Sequence, residues 1–179
     1  MAFTVQLSPS AGGSKDNPDM LAWDADLRRS PRVRNVIRMG RQKAESLASS
    51  AAAIPPRVVL MGSSAGARWG LDAARILGEK AAGLICCSWP MVSPKGASRA
   101  GELLAPVPCP LLFLVGDRDP YMTRAPGFDA NIQLLQTAVA AAPAGSRVVV
   151  VAGAGHSMRE SPAHAAVAAQ AVLGFLAAL

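Results

Sequence analysis

The chain of 179 residues is long enough for one globular domain with a sizeable core and too short for two. Its 51% hydrophobic and 17% charged residues exclude a disordered chain, and no apolar run reaches the length of a membrane span. A formal net charge of +6 excludes an acidic protein and raises the question of anionic partners.

Short apolar runs recur along the chain, each bounded by turn residues. Because Val, Ile and Leu follow one another in them without polar alternation, these runs indicate strands buried on both faces of a parallel sheet. The predicted strands are Phe3–Leu7, Arg57–Met61 after a break at Pro55-Pro56, Gly83–Cys87, Pro110–Val115 and Arg147–Ala152, with Arg32–Met39 as a weaker sixth candidate.

Segments of helical length separate the strands. Asp16 or Asn17 is placed to cap the first of them, and Ser161 precedes Pro162 at the start of the last. The predicted helices are Asn17–Arg29, Gln42–Ala53, Ala65–Leu77, Asp129–Ala142 and Pro162–Leu179. This alternation predicts a three-layer α/β fold with a doubly wound, mostly parallel sheet, in a single domain over residues 1–179.

A basic stretch lies between the first two predicted helices and contains no acid. It could attract nucleic acid or an acidic protein, but no aromatic residue interleaves with it, so we favour a solvated face of the fold. Its members are Arg28, Arg29, Arg32, Arg34, Arg38, Arg41 and Lys43.

The three cysteines, Cys86, Cys87 and Cys109, form no Cys-x-x-Cys pair and no cluster with histidine. We therefore expect no metal site and no cofactor. Residues 1–7 lack the charged and apolar regions of a secretory signal. An odd number of cysteines without such a signal favours a reducing compartment, the cytoplasm or alternatively the nucleus.

A nucleophile motif follows the strand that ends at Met61. The chain passes directly into Gly62-Ser63-Ser64-Ala65-Gly66, which has the pattern G-x-S-x-G, and then into a predicted helix. In a strand–turn–helix context this pattern holds the serine on a strained turn, with its hydroxyl exposed at the carboxyl end of the sheet. Ser64 is the predicted nucleophile.

A serine hydroxyl needs a base to remove its proton, and the chain has two histidines, His156 and His164. His164 lies in the last predicted helix, where an exposed histidine is ordinary. His156 follows the last predicted strand, at the edge of the sheet where folds of this class place their chemistry. We predict His156 as the base.

Two acids, Asp117 and Asp119, follow the strand Pro110–Val115, and either could orient the imidazole or only cap a turn. We favour Asp119 because it stands three residues after Gly116, the usual spacing for the acid. The order Ser…Asp…His is that of α/β-hydrolases and differs from those of chymotrypsin-like and subtilisin-like proteases.

The negative charge that forms during acyl transfer needs hydrogen-bond donors. The backbone N–H of Ala65, which follows the nucleophile, is one predicted donor. The second should come from the loop after the first strand, Ser8–Gly13, where we select Ala11. Apolar residues in the loops at this edge are candidates for the wall of a substrate site, namely Trp89, Met91, Met122 and Met158.

Five motifs carry a resemblance to a known group of proteins: Ala11-Gly12-Gly13, the elbow extended to Arg68, and the segments Gly83–Pro90, Leu112–Asp119 and Gly155–Met158. They resemble the testis-expressed hydrolase-like proteins and the hydrolase-like subunit of a non-specific lethal (histone-acetyltransferase) complex. That group is distantly similar to dienelactone hydrolases. The resemblance covers nearly the whole chain and implies a minimal α/β-hydrolase fold.

Two functions follow from these features. The first is a serine hydrolase that cleaves a small ester or thioester through an acyl-enzyme on Ser64. The second is a binding or scaffolding subunit, which two features favour: the basic stretch Arg28–Lys43, and Pro9-Ser10 in place of the His-Gly of the group, where Pro9 has no N–H to donate. An acid-nucleophile hydrolase, specific for halides or epoxides, is disfavoured by the serine at the elbow.

Overall fold

In the computed structural model, which describes residues 2–54 and 57–179, six parallel strands form one sheet. They lie in the order β2-β1-β3-β4-β5-β6, and their bounds are β1 Phe3–Ser8, β2 Val33–Arg38, β3 Val58–Ser63, β4 Ala81–Cys87, β5 Leu111–Gly116 and β6 Arg147–Val151. All six predicted strands are confirmed, including the weakest, which forms the edge strand β2. The predicted break at Pro55-Pro56 lies outside the described residues.

Six α-helices accompany the described strands. They are α1 Pro18–Leu27, α2 Ala44–Ala52, α3 Ala65–Leu77, α4 Pro120–Thr123, α5 Phe128–Ala140 and α6 Pro162–Ala178. Asn17 caps α1, accepting the N–H of Met20 at 2.9 Å, and Ser161 caps α6. The short α4 and two 3₁₀ turns, Gly78–Lys80 and Ala100–Leu103, were not predicted, because such short turns carry no hydrophobic period.

Two apolar clusters cover the two faces of the sheet. One packs α1 and α6 against side chains such as Val59 and Met61, and the other packs α2, α3 and α5 against their neighbours Val58 and Leu60. Successive residues of each strand point to opposite faces, so both faces need apolar residues. This confirms the three-layer α/β fold.

The chain changes direction between β1 and β3. It runs outwards from β1 to β2, then returns past β1 to begin β3 on the other side. At such a switch point the loops at the carboxyl ends of the two strands diverge and leave a crevice. Here that crevice lies between the residues that follow Ser8 and those that follow Ser63.

The irregular segment that follows β4 is tied to α3 by ionic contacts. Arg68 donates two hydrogen bonds to the carboxylate of Glu102, at 2.6 and 2.7 Å, and Arg99 adds a third at 3.1 Å. Arg75 donates to the carbonyl oxygens of Glu102 and Ala105. Partial burial raises the pKa of the Glu102 carboxyl, but the hydrogen bonds and charges of Arg68 and Arg99 outweigh it and lower that pKa below its ordinary value.

We predict that Glu102→Gln lowers the free energy of unfolding by about 1–2 kcal/mol at pH 7. The loss is modest because the Glu102 and Arg68 side chains are both partly exposed, so solvent screens their attraction. A carboxyl whose pKa is lower in the folded protein stabilises it above the unfolded pKa, and that stability is lost as the pH falls through the folded pKa. Urea unfolding measured from pH 7 downwards should therefore show the variant and wild type converging in acid. Glu79→Gln, at an exposed site, is the control, and a pH-independent deficit would contradict the prediction.

Candidate active site

The turn between β3 and α3 holds Ser64 in a strained backbone conformation, with φ +54° and ψ −113°. Few residues other than glycine adopt such angles, so the surrounding packing must impose them. The N–H of Ser64 donates to the carbonyl oxygen of Cys87 at 2.9 Å, which ties the turn to the end of β4. The geometry is that of the elbow expected from the G-x-S-x-G pattern.

The two glycines of that pattern are needed for close packing. A Cβ at Gly62 would lie 2.3 Å from the carbonyl carbon of Gly66, and one at Gly66 would lie 2.4 Å from the carbonyl oxygen of Pro9. Neither position has room for a side chain. Gly66 thus lets α3 begin directly against the loop that follows β1.

His156 and Asp119 are in direct contact. Nδ1 of the imidazole lies 2.8 Å from Oδ2 of Asp119, whose side chain is completely buried, while the imidazole is 31% exposed. The other oxygen of Asp119 accepts the N–H of Tyr121 at 2.8 Å, and the Tyr121 ring packs edge-on against the imidazole. A carboxylate at Nδ1 favours the tautomer that leaves Nε2 free to accept a proton.

Asp117 has a different environment. Its carboxylate accepts the N–H of Gly153 at 2.7 Å, which joins the end of β5 to the loop after β6. Of the two acids that the sequence left open, Asp119 is the one that contacts the imidazole.

The loop that carries His156 is held by contacts with the ends of β4 and β5 and with Glu160. Ser88, buried and at φ +54°, donates its hydroxyl to the carbonyl oxygen of His156 at 2.5 Å. The carboxylate of Glu160 accepts the N–H groups of Gly155 and Ser157. A Cβ at Gly116 would lie 2.1 Å from the carbonyl oxygen of Ala154, so the loop rests directly on the end of β5.

Ser64 and His156 stand at the same edge of the sheet, and within residues 2–54 and 57–179 no hydrogen bond joins the hydroxyl to the imidazole. Such bonds are often long before substrate binds. Ala65 is the first residue of α3, and an N–H at that position has no partner within the helix. Ala11 lies exposed in the turn after β1, whereas Pro9 and Ser10 line the crevice.

The crevice is a cleft of about 310 Å³, at the lower end of the range for small-molecule sites. His156 and Ser63 line it, although Ser64 itself does not. Its other lining residues are Leu7, Ser8, Pro9, Ser10, Asn17, Asp19, Met20, Trp23, Met61, Gly62, Cys87, Ser88, Ser157, Met158 and Arg159.

Of the predicted wall residues, Met158 lines this cleft. Trp89, Met91 and Met122 do not, because they are fully buried in the apolar cluster on the opposite face of the sheet. The ring of Trp89 packs edge-on against Phe113, with centroids 5.7 Å apart. The structure thus brings Met158 to the cleft and places the other three in the core.

Cys87 lies in the wall of the cleft at the end of β4. Burial raises the pKa of its thiol to about 12, an effect that nearby Arg159 opposes and Asp19 reinforces. The thiol is therefore protonated at neutral pH.

Three of the seven basic side chains of the stretch pair with acids of α1. Arg28 and Arg38 contact the two carboxylate oxygens of Asp24 at 2.5 and 2.7 Å, and Arg29 lies 3.2 Å from Asp26. These pairs reduce the positive charge available to an anionic partner and agree with the interpretation of a solvated face.

A comparison with known protein families identifies the family of this chain. The model of the alpha/beta hydrolase domain matches residues 22–172. The chain belongs to the alpha/beta hydrolase family. No curated protein matches it significantly in sequence.

Several solved structures share the fold at low sequence identity. Dienelactone hydrolase from Anabaena variabilis superposes with a TM-score of 0.72 at 17% identity, over 99% of this chain and 86% of that one. Est1E from Butyrivibrio proteoclasticus superposes with a TM-score of 0.68 at 13% identity, over 99% of this chain and 88% of that one. The mouse alpha/beta hydrolase domain-containing protein 10 superposes with a TM-score of 0.61 at 13% identity, over 94% of this chain and 87% of that one. At such identities these likenesses show the fold alone.

No helix within residues 2–54 and 57–179 is long and apolar enough to cross a membrane.

We predict that Gly66→Ala destabilises this alpha/beta hydrolase by about 2–3 kcal/mol, because the added Cβ must push Pro9 away from the elbow. Gly12→Ala is the matched control, since a Cβ there meets nothing within 4 Å, and should change stability by no more than about 0.5 kcal/mol. Urea unfolding of both variants measures the difference. Equal effects would show that crowding at the elbow is unimportant.

Proposed function

We propose that this protein is a serine hydrolase that cleaves a small ester or thioester through an acyl-enzyme on Ser64. The observation that carries the proposal is the contact of 2.8 Å between Nδ1 of His156 and the buried carboxylate of Asp119, at the same edge of the sheet as the strained Ser64. A buried carboxylate at one ring nitrogen prepares the other as a base.

In the proposed reaction, the Ser64 oxygen attacks the acyl carbonyl while Nε2 of His156 takes the hydroxyl proton. Asp119 stabilises the imidazolium that forms, and the proton then passes to the leaving alcohol or thiol as its bond to the acyl carbon breaks. Water then attacks the acyl carbon while His156 takes one of its protons; the bond between the acyl carbon and the Ser64 oxygen breaks, and His156 returns the proton to that oxygen as the acid leaves.

The N–H of Ala65 is the proposed first donor to the oxyanion, aided by the positive end of the α3 dipole. The second donor comes from the loop after β1, where Ala11 is our choice and Ser10, which lines the cleft, is the alternative. Pro9 donates nothing, and its carbonyl oxygen is instead packed against Gly66.

We further propose that the chain is related to the testis-expressed and non-specific lethal complex hydrolase-like proteins, on the motifs described above. The most specific of these motifs is the elbow extended to Arg68, together with the Ser88-Trp89-Pro90 turn. The three cysteines are free and buried, which fits the cytoplasm as the proposed compartment. A binding or scaffolding role is the second candidate; three of the seven basic side chains, Arg28, Arg29 and Arg38, are paired with acids of α1, which lowers the charge open to an anionic partner.

A fluorophosphonate probe tests the nucleophile directly. We expect one adduct, on Ser64, identified by mass spectrometry of peptides. Labelling should disappear in Ser64→Ala. In His156→Ala the rate of labelling should fall about 100-fold or more, because the hydroxyl loses its base. Ser63→Ala is the matched control and should still be labelled. Absence of labelling in the folded wild type from pH 6 to 9 would reject the serine hydrolase.

Ser88 is predicted to position the base, because its hydroxyl holds the backbone of His156. Removing that bond in Ser88→Ala should lower kcat about tenfold with little change in KM, since the loop then presents the imidazole less accurately. Ser88→Gly loses the same hydroxyl but relieves the strained φ, so it should show the same fall in kcat. Full activity in Ser88→Gly would mean that the hydroxyl is not needed; Ser98→Ala, at an exposed serine, is the control.

A further inference from the structure

Five of the side chains that line the cleft are large, apolar and buried. Leu7 and Met61 come from the sheet, Met20 and Trp23 from α1, and Met158 from the loop after the predicted base. Each of the five is at most 4% exposed. Thioether and indole side chains adapt to apolar groups of varied shape, and an anion would find no hydrogen-bond donor among them except the indole N–H.

Arg159 is the one cationic side chain that lines the cleft within the described part of the chain, and its charge is already engaged. Its guanidinium lies 2.7 Å from Oδ2 of Asp26 and 4.8 Å from the centre of the Trp23 ring, and its side chain is only 15% exposed. If the Arg159 guanidinium turned towards a ligand, the largely buried carboxylate of Asp26 would keep only its contact with Arg29, whose Nη1 lies 3.2 Å from Oδ1 of Asp26. A buried pair is costly to separate, so Arg159 is unsuited to bind an anionic group.

Asp19 adds a negative charge to the rim of the same cleft. Its carboxylate accepts the hydroxyl of Ser157 at 3.3 Å, and no lysine or arginine of residues 2–54 and 57–179 lies within 4.0 Å of it. Its side chain is exposed, so the carboxylate lies where the cleft meets solvent and repels an anion that approaches that part of it.

We infer that the cleft takes a neutral, apolar acyl chain, and that Asp19 excludes acyl chains that end in a carboxylate. The inference rests on the proposed function, in that it treats the cleft beside Ser63 and His156 as the site of the acyl group. Two like charges a few ångströms apart at a partly solvated site repel one another enough to give about a tenfold discrimination.

Binding can be measured without catalysis in the Ser64→Ala protein. The ligands are methyl hexanoate and monomethyl adipate, which share a six-carbon acyl chain and differ by a terminal carboxylate. Fluorescence of Trp23, assigned by its loss in a Trp23→Phe protein, reports occupancy. We expect methyl hexanoate to bind with an affinity about tenfold or more above that of monomethyl adipate. In Asp19→Asn that preference should fall to about threefold or less. Asp129→Asn, at an exposed site on α5, removes the same charge and should leave the preference unchanged.

Catalysis is then compared in the wild type with the 4-nitrophenyl esters of hexanoic and adipic acid, and kcat/KM should show the same preference. If Ser64→Ala protein discriminates as expected but wild type hydrolyses neither ester, the proposed function fails while the inference about the cleft stands. Equal binding of the two methyl esters, tighter binding of the adipate, or binding of neither would overturn the inference. So would a preference that Asp19→Asn leaves intact.

Discussion

Burial of both faces of the parallel sheet is the constraint on which the rest of this molecule depends. With helices on each side, side chains within the strands are committed to packing, and polar chemistry is confined to the edge where the strands end. Ser64, Asp119 and His156 follow β3, β5 and β6 at that edge. The parallel strands bring these three distant residues to one edge, and contacts among the loops that follow the strands set their final positions.

Much of this could be predicted from the sequence, because strand and helix periods and the elbow glycines are local signals. Ala65–Leu77 was predicted at its observed bounds, since a strained turn before it and a glycine after it mark both ends. The identity of the acid was not decided locally. Asp117 and Asp119 are near neighbours on one loop, and only the path of the loop after β6 determines which of them meets the imidazole.

The cleft could not be predicted for a related reason. Met20 and Trp23 lie in the first helix and Arg159 in the loop after β6, and none of the three belongs to a motif that marks a binding site. They become neighbours only when α1 packs beside the loop after β6, a tertiary contact with no signature in either segment. Conversely, Trp89, Met91 and Met122 were sought near the site because their loops end at the right edge, yet their side chains turn into the core.

Cys87 gives the cleft a chemical property that its serines and charges do not reveal. Acyl groups migrate from oxygen to sulfur, and alkylating or oxidising agents attack sulfur, mainly through the thiolate. Burial keeps this thiol protonated at neutral pH. A protonated thiol is a weak nucleophile, so an acyl group bound beside it has little tendency to transfer to sulfur. The thiol in the wall is an inert apolar surface.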